Sequence, residues 1–346
     1  MEDDKPNFLD LDLQSFSDLL SLQGEKPYRA RQVWAWTFKR FAASFDEMTD
    51  LPQSLRQYLE AFTNYRRLHL LRAQEGEAGW SKKYLWGQNG TPVCESVVLK
   101  YSYGLTACLS TQVGCPVGCA FCASSQLGFG RNLRRGEILE ELLGMCRDQG
   151  QRIGRIVFMG TGEPFLNYRE VLGAIETLSD PRGYGLSRRR VTVSTVGIPD
   201  AIRRFAKDSR GARLAVSLHA ASNDVRDRIM PYNKRFPIEQ VVSALKDYAL
   251  TTGQRVTIEY MLLGGINDSP SEADRLASLV SGMDLLVNLI LWNEVPGLPF
   301  RRSEPRKVLE FRRRLERNRV KVTVRRSLGG GISAACGQLG LGEEER

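Results

Sequence analysis

Three thiols fall within eight residues in Cys115-Pro-Val-Gly-Cys119-Ala-Phe-Cys122, directly after the apolar run at 105–109. Spaced Cys-x3-Cys-x2-Cys on one loop, three thiolates can reach three irons of a cubane. A [4Fe–4S] cluster normally takes four cysteines, so this set leaves one iron open to a small molecule with hard donor atoms. The amino and carboxylate groups of S-adenosylmethionine (SAM) are such donors. The plainer readings are a structural zinc site short of one ligand, or three reduced thiols together by chance. Zinc motifs usually come as paired Cys-x2-Cys or Cys/His sets, and no such pair is present.

Other candidates sit where predicted strands end. In Gly160-Thr161-Gly162-Glu163-Pro164, paired glycines let backbone approach a ligand closely, and Glu163 can accept the ammonium of an amino acid. A plain strand-to-helix turn with an exposed Glu fits the same residues. Next come Ser194-Thr195, then Ser217-Leu218-His219-Ala220, then Asn293, which can hydrogen-bond a base or a ribose. His219 is one of two histidines, and a lone histidine is more often structural than a ligand. Cys108 ends the first core strand, while Cys336 lies in a small-residue turn beyond the last. If a barrel wraps round, those strands are neighbours and the two thiols can meet across its mouth. Cys94 and Cys146 have apolar neighbours and read as inert buried thiols; His69 has no partner motif. The basic runs at 188–190 and 312–314 read as solvated faces. Arg325-Arg326 carries more weight because it precedes the Cys336 turn.

The elements that must position these residues follow from periodicity. Residues 1–75 read as a helical accessory domain, with helices expected at 10–22, after Pro27, and at 54–63. Arg29, Arg31, Lys39 and Arg40 interleave there with Trp34, Trp36 and Phe38. This pattern suits either a solvated bundle face or an RNA grip by phosphate contacts and stacking. Residues 76–100 read as a β-hairpin linker turning at Asn89-Gly90. From 101 to 340, strands are expected at 105–109, 155–159, 190–195, 213–218, 255–262, 286–292 and 320–324. Helices alternate with them, for example at 137–147, 168–178, 238–250 and 305–318. Such alternation implies an α/β fold with a parallel sheet, a full or partial barrel carrying active residues at the carboxyl ends of its strands. The tail at 340–346 reads as frayed.

Composition narrows the class. At 346 residues with 42% hydrophobic content, the chain can bury a large core plus a small extra domain. No run of about 18 apolar residues predicts a membrane span, and the acidic start Met-Glu-Asp-Asp-Lys has no signal-peptide core. Seven cysteines, an odd number, fit a reducing cytoplasm better than a disulfide scaffold. A formal charge of +9 favours a polyanionic partner.

Taken together, Thr111-Gln112-Val113-Gly114 with the three cysteines and the segments 160–164, 191–197, 217–220, 255–260, 288–293 and 334–339 resemble the radical SAM RNA adenine methyltransferases. The resemblance covers essentially the whole chain, and is nearest to the dual-specificity branch acting on carbon 2 of one adenosine in 23S rRNA and of an adenosine next to some tRNA anticodons. It implies a radical SAM partial (βα)6 TIM-like barrel with an N-terminal helical domain. Cys115, Cys119 and Cys122 would hold the [4Fe–4S] cluster. Gly162, Glu163, Ser194, Ser217, Leu218, His219 and Asn293 would line the SAM site. Cys336 would carry the methyl group, Cys108 would be its partner in a transient disulfide, and Glu95 would accept a proton. Thr161 stands where the family usually has Met, Leu291 where it has Pro, and Gly330, Gly331 and Ser333 where acidic residues are common.

The implied chemistry explains the two extra cysteines. Carbon 2 of adenine is electrophilic, so it cannot simply take the sulfonium methyl of SAM. Instead Cys336 would take a methyl from one SAM. A second SAM, reduced through the cluster by an external one-electron reductase, would yield a 5′-deoxyadenosyl radical that activates that methyl. Cys108 would then release the product by thiol exchange. Rival readings are the antibiotic-resistance branch acting on carbon 8, a non-catalytic iron–sulfur RNA-binding or ribosome-assembly protein, and a radical SAM enzyme of peptides or metabolites. The expected protein is a cytoplasmic monomer binding 23S rRNA and tRNA. Basic N-terminal helices gripping phosphate predict an RNA affinity that falls steeply, and linearly on logarithmic axes, with salt. A filter-binding series giving the same affinity at low and high salt would count against that grip.

Overall fold

The computed structural model describes residues 5–76, 79–325 and 328–340. The readings placed on the first four residues, on Arg326 and on the tail at 341–346 lie outside the described residues.

The amino-terminal elements form because their apolar residues recur at helical spacing and their ends are capped. Helices α1 (Leu13–Ser21), α2 (Tyr28–Lys39) and α3 (Gln53–Phe62) occupy the expected places. Asp12 caps α1 by accepting the Ser15 N–H at 2.7 Å. Their inward faces meet in an aromatic core in which Phe8 stacks on Tyr65 at 5.2 Å and Phe16 meets Trp34 at 5.8 Å. Trp34 and Phe38 are therefore structural, whereas Tyr28 is exposed with the Arg29 guanidinium 4.8 Å from its ring. The helical reading of residues up to 75 needs correction at its end. Strand β1 (His69–Glu75) occupies that stretch, pairing antiparallel with β2 (Ser81–Gln88).

The hairpin from β2 to β3 (Thr91–Tyr101) turns at Asn89 and Gly90, with φ of 51° and 79°. This is the left-handed pair a two-residue hairpin demands. The hairpin is not a detached linker. It pairs through β3 with β4 (Gly104–Leu109), so β1, β2 and β3 extend the sheet of the core. A parallel series follows: β7 (Arg155–Phe158), β8 (Val191–Thr195), β9 (Arg213–Ser217), β10 (Val256–Leu262), β11 (Leu285–Leu291) and β12 (Lys321–Arg325). A small separate pair, β5 (Gln112–Gly114) and β6 (Phe129–Asn132), frames the cysteine loop.

Crossovers run through α5 (Arg135–Asp148), α6 (Tyr168–Ser179), α7 (Pro199–Asp208), α9 (Ile238–Thr252), α10 (Pro270–Leu279) and α11 (Pro305–Arg317). Six strand–helix units and a closing strand make the expected partial barrel. Short helices α4 (Ala123–Gln126) and α8 (Asn223–Ile229) lie at its mouth. The sheet does not close, because β4 pairs with β3 rather than β12. The expectation that first and last core strands are neighbours is thus overturned. The added strands take the free edge of β4.

Polar staples dock the amino-terminal domain on α5. The buried carboxylate of Glu140 accepts the N–H groups of Leu68 and Arg67 at 2.7 and 3.0 Å, and the Asn7 amide also donates to it. Arg147 donates to the carbonyls of Phe41 and Ala42 at 2.9 and 2.8 Å. Burial pushes the Glu140 carboxyl up to about 8. For an acid whose folded value exceeds its unfolded value, the stabilising contribution is full below the unfolded value. It is lost as pH rises through the folded one. Glu140→Ala is expected to cost about 1–3 kcal/mol, because buried donors lose their acceptor. Urea unfolding at pH 7 and pH 9 should show a smaller alkaline loss for Glu140→Gln than for the native protein. Equal losses would place the alkaline sensitivity elsewhere.

Candidate active site

The loop carrying the three thiols is held from several elements at once. Cys115 N–H donates to Gly128 O at 2.8 Å, Ala120 N–H to Ile229 O at 2.9 Å, and the Trp292 indole to Phe121 O at 3.1 Å. Gly114 sits at φ 69°, and a Cβ there would lie 1.9 Å from Gly128 O, so only glycine fits. Cys115, Cys119 and Cys122 all line one cavity, partly open to solvent. Loss of hydration pushes the Cys115 thiol up to about 12 and raises Cys119 and Cys122 as well. Thiolates in such a place need a cationic partner. Among the described residues no three His, Cys, Asp or Glu side chains are arranged to hold a single metal ion. Three thiols around one cavity suit instead a cluster in which each iron takes its own sulfur. The donor set fits the group.

The far wall of this cavity is built from strand ends. Gly162, at φ 105°, lies so close to Gln112 that a Cβ would approach its side chain to 2.6 Å. Glu163 is buried and accepts N–H groups from Val196 at 2.7 Å and Phe165 at 2.9 Å. Burial pushes its carboxyl up to about 7, so a cation beside it would restore the carboxylate. Ser194 and Ser217 line the cavity with hydroxyls 3.5 Å apart. At the same level Glu259 pairs in register with Ser217 on β9 and Asn288 on β11, and the Asn288 amide donates to both its oxygens at 3.3 and 3.2 Å. His219 accepts the Met261 N–H through Nδ1 at 2.9 Å, which leaves its proton on Nε2. Burial and then the Arg226 charge push its ring down to about 3. It is a fixed neutral donor rather than an acid–base group.

A second, smaller cavity adjoins the first and shares Cys122, Ser124, Met159, Gly160, Arg325 and Cys336 with it. Cys108 and Cys336 both line it, and both are free thiols. Burial and then Cys336 push the Cys108 thiol up to about 12. The two share this space because the carboxyl-terminal segment folds back over the cysteine loop. Ala123 N–H donates to Gly337 O at 2.8 Å, the Ser124 hydroxyl to Leu339 O at 2.6 Å, and Gly340 N–H to Glu95 Oε2 at 2.7 Å. Ile332 and Leu339 pack with Val97, Leu99 and Cys108 on β3 and β4. Arg325, ending β12, stands beside these thiols, and Cys336 foremost, then Glu259, drive its guanidinium further into the charged form.

Most of the sequence-predicted residues converge here. Gly162, Glu163, Ser194, Ser217 and His219 line the first cavity with the three cysteines, and Asn293 lines the second, donating to Cys336 O at 3.3 Å. Leu218 does not line either cavity. Its side chain is in the core, and its backbone bonds Glu259 O and Arg226. Glu95 lines neither cavity, being held by Gly340 and by Lys83 Nζ at 3.2 Å. Sequence reasoning passed over Arg226, Met159 and Met261. Inward alternation along β10 was the available signal for Met261; nothing local marked Arg226. Of the unusual residues, Thr161 places its hydroxyl 3.4 Å from that of Ser124. Gly330 and Gly331 form an exposed turn.

Comparison with known proteins agrees with this geometry. Residues 109–277 match the radical SAM superfamily, and residues 6–64 match the ribosomal RNA large subunit methyltransferase N-terminal domain. The probable dual-specificity RNA methyltransferase RlmN of Desulforamulus reducens is 42% identical over 97% of this chain and 96% of its own length. Its counterpart in Thermotoga maritima is 42% identical over 97% of both chains. The crystal structure of a radical SAM methyltransferase from Sphaerobacter thermophilus superposes with a TM-score of 0.94 at 38% identity, covering 96% of this chain and 99% of that one. Full-length identity of this order, with both the radical SAM and the N-terminal domain matched, means that the chain belongs to the RlmN family of radical SAM, dual-specificity RNA methyltransferases.

Proposed function

We propose that this protein methylates carbon 2 of an adenosine in 23S rRNA, and of one next to the anticodon in some tRNAs, with Cys336 as methyl carrier. The observation that carries the reading is the second cavity, where Cys336 and Cys108 face one space that opens into the cavity of the three loop cysteines. A structural cluster in a binding protein gives no reason for that pair.

In this reading Cys115, Cys119 and Cys122 hold a [4Fe–4S] cluster, and Gly162, Glu163, Ser194, Ser217 and His219 receive SAM. Bound there, the two supply a methyl group for a thiol and a one-electron route to activating that methyl, drawing the electron from an external reductase. Every other task falls to the chain. Cys336 takes the methyl as a sulfur nucleophile. Asn293, bonded to the Cys336 carbonyl, orients the turn that presents it. Cys108 ends the sequence: having given its proton to a base, its sulfur would bond to the Cys336 sulfur as the sulfur–carbon bond breaks, and the carbon that takes the electron pair gains a proton to become the methyl group. Its burial suits that late role, since a thiol raised to about 12 stays protonated until a base takes its proton. Glu95 accepts the ring proton only after Gly340 has left it, because that carboxylate holds the carboxyl-terminal segment in this structure.

Nucleoside mass spectrometry after anaerobic reaction with SAM, reductant, rRNA and tRNA tests the assignment. A 2-methyladenosine peak is expected, lost at least 100-fold in Cys336→Ala; 8-methyladenosine instead would move the protein to the other branch. Cys108→Ala should still methylate Cys336 but stall as a protein–RNA crosslink visible on a denaturing gel. Free methylated RNA at normal turnover from that variant would sink the two-cysteine scheme. Replacing any one of Cys115, Cys119 and Cys122 by Ala should abolish most reconstituted iron, whereas Cys94→Ala and Cys146→Ala should retain it.

A further inference from the structure

Arg226 is a charged side chain at the mouth that the methyl transfer does not use. It is 1% exposed. Its Nε donates to Leu218 O at 3.0 Å, its Nη1 to Asn233 Oδ1 at 2.8 Å, and its Nη2 to Val196 O at 2.5 Å and Ser217 O at 3.3 Å. All four acceptors are neutral oxygens. The neighbouring Asp227 carboxylate takes its own hydrogen bond from the Asn233 amide at 2.7 Å. A buried guanidinium with these hydrogen bonds, all to neutral oxygens, is not neutralised by a direct ion pair, and its field persists in a low-dielectric setting.

The place of that charge gives it a use. Arg226 lies on α8, whose last residue, Ile229, accepts the N–H of Ala120, the residue after Cys119. Val196, whose carbonyl it holds, lines the first cavity together with Cys119. Ser217 and Val196 are also the ends of β9 and β8 that face the proposed SAM, and Glu163 grips Val196 from its other side. We propose that Arg226 is a positioning residue whose buried positive charge beside Cys119 stabilises the reduced form of the iron–sulfur cluster, while its fork holds the strand ends that receive SAM. The proposal rests on the reading that the three loop cysteines hold that cluster.

Reduction adds one electron to a site already carrying three thiolates, so a nearby fixed cation favours the reduced state. Burial lowers the guanidinium to about 10, with Cys119 and Asp227 opposing that fall, so it stays charged at neutral pH. Lysine at this position would keep the charge but lose the planar fork.

The test is a redox titration of the reconstituted full-length protein without SAM, poised with dithionite and followed by the electron paramagnetic resonance of the reduced cluster. In Arg226→Gln the reduced-to-oxidised ratio at a fixed potential should fall about tenfold, a midpoint lower by about 59 mV for one electron. Arg226→Lys should keep the native midpoint, while both variants bind SAM several-fold more weakly. A native midpoint in Arg226→Gln, or an equal fall in both variants, overturns the proposal. If Arg226→Gln retains no iron, Arg226→Met replaces it, removing the charge from a side chain of similar reach; that variant must show the same fall, and an unchanged midpoint overturns the proposal. A native protein that takes up no iron defeats the cluster reading itself. A native cluster indifferent to position 226 defeats only this inference.

Discussion

Desolvation at the barrel mouth is the constraint on which the rest of the site depends. The Cys108 and Cys115 thiols and the Glu163 carboxyl are all displaced upward and the His219 ring downward, with burial the largest cause each time. In water these groups would hold their ordinary protonation states. Here the Cys115 thiol and the Glu163 carboxyl regain their charge only beside a cationic partner, while His219 stays a neutral donor. The same dryness strengthens fixed charges such as Arg226 and Arg325. A mouth built in this way is poised by what it binds, which suits chemistry that must exclude water around reactive species.

Dryness obliges the backbone to satisfy itself. The loops at the strand ends are not free segments but are stapled by side chains whose polar atoms replace solvent. Gln112 Oε1 accepts Glu163 N–H at 2.8 Å, the Ser110 hydroxyl accepts Thr161 N–H at 2.8 Å, and the Asn267 amide donates to the carbonyls of His219 and Met261, both at 2.7 Å. Three of these four bonds join segments 48 or 51 residues apart. They turn a set of loops into a rigid cradle.

The three antiparallel strands give the open barrel its character. By taking the edge of β4, they keep β12 from pairing there, and the gap is filled by the segment that carries Cys336. A closed barrel would have fixed β4 against β12. The open one leaves that space to the carboxyl-terminal segment, and the same β3 that opens it contributes Val97, Leu99 and Tyr101 to the lining of the second cavity.

Much of this was legible without coordinates, for a physical reason. The cysteine spacing encodes a loop-local arrangement, because seven residues of chain cannot carry thiols far apart. Period-two and helical patterns report burial of one face, so the alternating core elements, and the strand ends bearing Glu163, Ser194, Ser217 and His219, could be read directly. Contacts between distant segments are different in kind. That Cys336 shares a cavity with Cys108 follows from the docking of the carboxyl-terminal segment, not from adjacent strands as the pattern suggested. That Glu95 binds the Gly340 N–H spans 245 residues. The strand character of residues 69–75 and the staple made by Arg226 arise only when neighbouring elements supply a ladder and a set of carbonyls. Local spacing thus determined which residues can do the chemistry, and only the tertiary structure decided which of them share a cavity, because chain closure and the pairing of sheet edges are properties of the whole fold.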